Sequence, residues 1–347
     1  MSKIKNSVYG LALGDAIAYR TEFLGFKESV IEYRNEHLPS LNKKLNVSDD
    51  TQMSLYLIKG FKEGFNPEMP LERQKYEVTE AIALNFVAWL NDPENCRAPG
   101  NACISSLMIL DKALSEKKAI ASFVGRKAGK ISSFLVGGEY NSNSKGSGTV
   151  MRSPWLGILH AEGIIPDELF EQFCNTQASI THQHPTALHG SYLTALLTSE
   201  LYKGNLKPGE LHEFATAFCL SQESDMGWRD LAGALEKAED LADDYAFTDA
   251  MEYDPSAVMG SRGTAEDVLA TAIVLIDTFG DNPAEVIKRC MFNSGDSDTI
   301  GAVAGGMLGA YYDENIWEDL EHLVESQYVP WLDETVLYLQ TINKPAG

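Results

Sequence analysis

Two acidic motifs far apart in the chain carry side chains able to do metal chemistry: Ser48-Asp49-Asp50-Thr51 and Asp296-Ser297-Asp298-Thr299. Each groups two carboxylates with hydroxyls. Mg²⁺ and Mn²⁺ favour such oxygen donors, completed by water, in octahedral geometry. Ser48 also precedes a helical pattern, so an N-cap is the plainer reading. Capping accounts for one polar residue and leaves two adjacent carboxylates unexplained. Asp296 and Asp298 face one point if the chain is extended there, with Thr299 opening a helix. The plainer reading of that motif is tight helix packing with a capping Asp. A third segment, Gly10–Phe23, holds Asp15 and, seven residues later, Glu22. An unbroken helix puts both on one face, as site groups or as two solvated acids. Together the three motifs favour a binuclear site for two Mg²⁺ or Mn²⁺ ions, assembled from distant segments.

The elements that must position these groups read as helices. In Thr51–Phe61, Met53, Tyr56, Leu57 and Phe61 recur at helical spacing. Val78–Leu90 is rich in Ala and Leu and stops before Asn91-Asp92-Pro93. After Pro185, Leu188, Tyr192, Ala195 and Leu196 form a face that ends near Gly204. Ala265–Thr278 carries Val268, Leu269, Ile273 and Ile276, with Gly280 as its stop signal. Gly301, Gly305 and Gly309 lie four apart on one helix face. Glycine in a helix costs up to about 1 kcal/mol relative to alanine, so three on one face point to a close neighbouring backbone. The main irregular stretch, Gly137–Pro154, is rich in Gly and Ser; a loop of that kind in a helical protein is either functional or a surface connection. Asn91–Gly100 is a second, polar loop, and Glu236–Asp254 reads as a solvated acidic helix face and turn. Alternating strand patterns are scarce and no linker divides the chain. The expected fold is all-α: one compact orthogonal helical bundle over residues 1–347, with the metal site in a central cleft.

Composition narrows the function. The chain has 347 residues, 44% of them hydrophobic, and sets 28 Lys+Arg against 50 Asp+Glu for a net charge of −22. That balance argues against general nucleic-acid binding and against an anionic membrane surface. Five cysteines, an odd number without a CxxC pair, argue against a disulfide framework or a zinc site. The first residues lack a signal-peptide pattern, and no apolar run reaches the roughly 18 residues of a membrane span. A cytoplasmic protein is expected.

With these segments in view, the sequence resembles the ADP-ribosylglycohydrolase family, which includes the dinitrogenase reductase-activating glycohydrolase and the ADP-ribosylarginine and ADP-ribosylserine hydrolases. Five segments in order carry the resemblance: Gly14–Phe23, Ser48–Thr51, Gly146-Ser147-Gly148-Thr149-Val150-Met151-Arg152, Thr181–Ala187 and Gly295–Ala302. It implies metal ligands Ser48, Asp49, Asp50, Asp296, Asp298 and Thr299, with Glu22 as a mobile acid beside them. It also implies that Ser144, Lys145, Gly146, Ser147 and Gly148 cradle an ADP-ribose diphosphate. His182 and the loop residues Gly100 and Asn101 would line the same cleft. Ser48 replaces the commoner Thr, Ala18 a usual Gly, and Ser147 a frequent Asn or Cys; none of these removes a ligand.

The implied reaction is hydrolysis of the bond between the anomeric carbon of ADP-ribose and a protein side chain, through a transition state of oxocarbenium character. Two metal ions would hold the ribose diol and a water of lowered pKa. Asp49 or Asp50 would orient or deprotonate that water, and Glu22 would protonate the leaving group or share the base role. The implied substrate is an ADP-ribosylated protein, most simply ADP-ribosylarginine, with ADP-ribosylserine as the alternative linkage. ADP-ribose is the product, and an ADP-ribosylating toxin or its target is a further partner. Rival readings are a non-catalytic member that binds ADP-ribose or a partner, and a two-metal hydrolase of another ribosyl or phosphoryl substrate. A diphosphate must bind despite the net charge, so backbone N–H groups, helix N-termini and the cations would attract it. Lys145 either adds charge there or is solvated. His182 and His184 are badly spaced for zinc; His182 is expected to line the cleft or cap a helix, and His184 and His189 to be structural. Tyr140 and Trp228 are expected to stack on adenine or to pack in the core.

Overall fold

The computed structural model describes residues 2–115, 143–222, 225–260 and 263–342. Its helices are α1 (Ser2–Ala18), α2 (Phe26–Tyr33), α3 (Asp49–Gly64), α4 (Leu71–Leu90), α5 (Asn101–Ser115), α6 (Pro154–Ala161), α7 (Asp167–Ser179) and α8 (Pro185–Lys203). They continue as α9 (Leu211–Ser221), α10 (Met226–Tyr245), α11 (Ser256–Met259), α12 (Ala265–Phe279), α13 (Pro283–Met291), α14 (Ser297–Gly309) and α15 (Val329–Thr341). Among the described residues no strand forms, only two isolated bridges, Leu45 with Val324 and Gly146 with Thr264. The all-α expectation holds. No helix among these residues is long and apolar enough to cross a membrane.

Local chemistry sets the boundaries. Pro185 opens α8 while the His184 side chain accepts the Thr186 N–H, and Gly204 ends it in the left-handed conformation at φ 75°. Gly280 follows α12 but sits at φ −57°, so it is not a left-handed stop. Its missing side chain instead makes room for Pro208, whose Cβ would lie 2.5 Å from an added Cβ. The acidic stretch after Glu236 completes α10 and then turns, burying Leu241 and Tyr245 on one side.

The glycine stripe of α14 does meet a backbone, that of α1. A Cβ on Gly14 would lie 1.9 Å from the Gly301 carbonyl oxygen, and one on Gly305 2.1 Å from that of Gly10. Gly309 packs against Asn6 in the same way. These two helices, far apart in the chain, therefore form one tight pair, which sets α14's first turn beside the end of α1.

Two expectations about these helices need correction. Helix α1 does not run on to Glu22: it ends at Ala18, and Tyr19–Thr21 forms a 3₁₀ turn. Asp15 and Glu22 consequently do not share a helical face. Helix α14 opens at Ser297 rather than Thr299, with Asp296 in the N-cap position. Part of the expected irregular loop, residues 137–142 with Tyr140, lies outside the described residues.

Candidate functional site

The cleft is built first from the start of α3. Ser48 is its N-cap and accepts the Asp50 N–H at 3.2 Å, so the capping reading is correct as far as it goes. Asp49 and Asp50 occupy the first turn, where a helix N-terminus favours negative charge. Beneath them lies Asp15, fully buried. Its carboxylate accepts the backbone N–H groups of Ser48 and Thr51 and the Thr51 hydroxyl. Asp49 is tied to the 97–100 loop: its N–H donates to the Arg97 carbonyl at 3.2 Å, and its Oδ2 accepts the Gly100 N–H at 3.4 Å.

The start of α14 supplies the facing carboxylates. Asp296 and Asp298 each bring an oxygen within 4.8 Å of one another and of Glu22. They converge because one residue occupies the N-cap position and the other lies in the first turn, not through an extended chain. Glu22 reaches them from the 3₁₀ turn. The Thr21 hydroxyl donates to the Met291 carbonyl at 2.6 Å, Ser297 Oγ to the Ala18 carbonyl at 2.9 Å, and the Phe23 N–H to the Gly295 carbonyl at 3.0 Å.

The third wall is the 144–148 loop. It pairs with residues 263–265, through Ser147 N–H to Gly263 O at 2.9 Å and Ala265 N–H to Lys145 O at 2.8 Å. Ser147 Oγ donates to Asp296 Oδ2 at 2.6 Å, joining this loop to the acidic group. Gly146 and Gly148 lie against the His182 ring: added Cβ atoms would stand 3.1 Å from its Nε2 and Cε1 respectively. Arg152, wholly buried, donates to the Thr181 hydroxyl at 2.7 Å, and that hydroxyl lies 2.9 Å from His182 Nδ1.

The resulting cleft has a volume of about 510 Å³. Glu22, Asp49, Asp50, Asp296, Asp298 and Thr299 line it, together with Gly100, Asn101, Ser144, Gly146, Ser147, Gly148 and His182. Two expected members do not line it. Ser48 is fully buried behind Asp50, its Oγ 3.2 Å from Asp50 Oδ2. Lys145 turns away because its ammonium is held by Glu266 and, at 3.4 Å, by Asp230. Trp228 is buried and stacks on His189 with ring centroids 4.3 Å apart, so it belongs to the core. His182 lines the cleft, and His184 does the capping. Phe23 and Met151, which lie in segments that carry the resemblance but were assigned no role, also line it, as do Cys103 and Gly263, which carried no sequence signal. Gly263 is required at φ 61°, where a Cβ would collide with Asp296 Oδ2 at 2.5 Å.

Burial and crowding govern the electrostatics. Glu22 is pushed up to about 8 by burial, then by Asp296 and Asp15. Asp49, Asp50 and Asp298 are raised well above the ordinary carboxylate range by burial and by their acidic neighbours. Asp15 rises to about 6 through burial, although the hydrogen bonds from Thr51 and Ser48 pull it down. His182 is pushed down to about 3 by burial and by Arg152, so its imidazole is neutral.

A divalent cation fits this group. Asp50 Oδ1 is buried and has no hydrogen-bond partner among the described residues. Beside it, among the described residues, Glu22, Asp296 and Asp298 bring carboxylate oxygens within 4.8 Å of one another. Such an all-oxygen donor set suits Mg²⁺ or Mn²⁺.

A family profile described as ADP-ribosylglycohydrolase matches residues 1–343. The chain belongs to the ADP-ribosylglycohydrolase family. A curated relative, ADP-ribosylhydrolase ARH3 of Xenopus tropicalis, is 25% identical over 339 residues, spanning 90% of this chain and 88% of the relative. A solved structure titled ADP-ribosylglycohydrolase-related protein complex covers 97% of this chain and 96% of its own, with a TM-score of 0.61 and 18% identity. That likeness establishes the shared fold; the profile establishes membership in this family of hydrolases.

Proposed function

We propose that the protein is an ADP-ribosyl hydrolase that uses Mg²⁺ or Mn²⁺ ions, two of them, to release ADP-ribose from modified arginine side chains. The observation that carries this reading is the meeting of Glu22, Asp296 and Asp298 with Asp49 and Asp50 in one cleft walled by residues 144–148 and His182. Two acidic helix starts and the Glu22 turn share a hollow with the 144–148 loop. That combination suits a ribose diol next to a diphosphate.

Asp49, Asp50, Asp296 and Asp298 would hold the cations, with Thr299 and Glu22 beside them. Bound there, the cations supply Lewis acidity toward water and neutralise the carboxylates. The chain's own residues do the remainder. Asp49, restrained by the Arg97 carbonyl and the Gly100 N–H, orients the attacking water and takes its proton, a task it shares with Asp50. Glu22, half-buried at the rim, delivers a proton to the departing nitrogen. The anomeric C–N bond breaks, the water oxygen bonds to that carbon, and the guanidino nitrogen leaves protonated. The 144–148 loop and neutral His182 hold the diphosphate.

The net charge of −22 and the acidic cleft favour a cationic target side chain, which supports the arginine linkage. We treat residues 1–347 as one domain, because α1 and α14, far apart in the chain, build the same wall. A cytoplasmic setting, an ADP-ribosylated protein as partner and relief from an ADP-ribosylating toxin go with this reading. The deciding experiment measures ADP-ribose release from arginine- and serine-modified proteins, with Mg²⁺ and with excess chelator. Release by the wild type but not by Asp298→Ala is expected. Equal behaviour of the two proteins would remove the catalytic reading.

A further inference from the structure

Among the described residues, two that are not glycine adopt the left-handed backbone, Phe23 at φ 53° and Ala98 at φ 54°. Both line the cleft. A bulky side chain pays an energetic penalty in that conformation, and strain of this kind gathers at functional sites. At Phe23 the core offers no reason for it, since the residue is 60% exposed. Its backbone is nevertheless pinned. The Phe23 N–H donates to the Gly295 carbonyl at 3.0 Å, and the next residue, Leu24, donates to the Thr21 carbonyl at 2.9 Å. These bonds stand one residue from Glu22 on one strand of chain and one residue from Asp296 on the other. The turn therefore displays an aromatic ring at the cleft mouth, next to carboxylates.

An exposed ring bordered by carboxylates recognises a planar delocalised cation. The ring face attracts the charge, the plane stacks, and the acids accept its N–H groups. A guanidinium has all three properties; a serine hydroxyl has none. Resting on the hydrolase reading above, we infer that Phe23 sets linkage specificity: its ring receives the guanidinium of the arginine that leaves ADP-ribose. The strained backbone keeps the ring at the mouth instead of letting it collapse onto the acidic floor.

The test uses full-length protein with Mg²⁺, as wild type, Phe23→Ala and Phe23→Trp. Each is assayed on arginine-modified and serine-modified protein, and for inhibition of release by free arginine. Thermal unfolding checks that the variants fold, which an exposed position permits. Phe23→Ala is expected to lower kcat/KM on the arginine linkage, relative to the serine linkage, by roughly tenfold. It should weaken inhibition by arginine by a like factor, and Phe23→Trp should restore both. A ratio that does not move, or a variant that free arginine inhibits as strongly as wild type, overturns the inference and leaves the hydrolase reading standing. A wild type that releases ADP-ribose from neither linkage overturns both.

Discussion

The buried carboxylate of Asp15 caps the helix that presents Asp50, accepting the Ser48 N–H at 2.9 Å and the Thr51 N–H at 3.1 Å. One acid is spent on orienting two others. Asp15→Ala leaves those N–H groups and the Thr51 hydroxyl buried without an acceptor. A loss of about 3 kcal/mol in unfolding free energy is expected, read from urea denaturation. Divalent-cation affinity should fall with it, because Asp49 and Asp50 lose their fixed helix start.

The contact between Gly14 and Gly301 allows no added atom, since a Cβ on either would strike the other's carbonyl oxygen at 1.9 or 2.3 Å. Gly301→Ala should destabilise the protein by about 1–3 kcal/mol, as overpacking does. Helix α14 must shift away from α1, so Asp296 and Asp298 move relative to Glu22. Weaker Mn²⁺ binding by calorimetry, in a variant that still folds, checks the geometric part.

Glu22 provides a pH dependence whose sign is fixed. Its carboxyl rises from the ordinary 4.5 to about 8 in the fold, chiefly through burial. The folded state without metal thus binds the extra proton more tightly than the unfolded chain does. Its contribution to stability is present below pH 4.5 and is lost as pH rises through about 8. Metal-free protein should lose stability across that window, seen as a falling Tm. The aspartates that hold the cations must be ionised to do so, so Mg²⁺ affinity should climb as pH rises. A metal-free Tm that rises from pH 5 to pH 8 would contradict the crowding described here.

His182 runs the other way. Burial and Arg152 push it down to about 3, so the imidazole stays neutral while the unfolded chain titrates near 6.5. Its contribution is present above pH 6.5 and is lost as pH falls toward 3. Histidine NMR should show the His182 ring unprotonated at pH 5. An ordinary titration of that resonance would place the ring in contact with solvent.

Lys145 is the counter-example to a diphosphate wall made of charge. Its ammonium is held by Glu266 and Asp230. Lys145→Met should raise KM for an ADP-ribosylated substrate by about twofold at most, as expected of a partly exposed ion pair. A tenfold rise in a steady-state assay would return Lys145 to the ligand.

The sequence by itself determined the all-α fold, most of the helix faces and the acidic residues that meet in the cleft. Those properties are local. Periodicity marks the buried face of α3 and α12, the Gly301-Gly305-Gly309 stripe announces a close backbone, and Asp-x-Asp beside Asp-Asp announces oxygen donors whatever surrounds them. Tertiary structure alone decided where each acid sits. Asp15 and Glu22, which a continuous helix would have set side by side, were separated by the break after Ala18, one beneath α3 and the other at the rim. That break is held by bonds from Thr21 to Met291 and from Ser297 to Ala18, across some 270 and 279 positions. The need for glycine at 263, the pairing of Lys145 and the display of Phe23 likewise depend on partners remote in the chain. Contacts of that range are chosen by how whole helices pack, and packing leaves no mark in the neighbouring residues from which a local pattern is read.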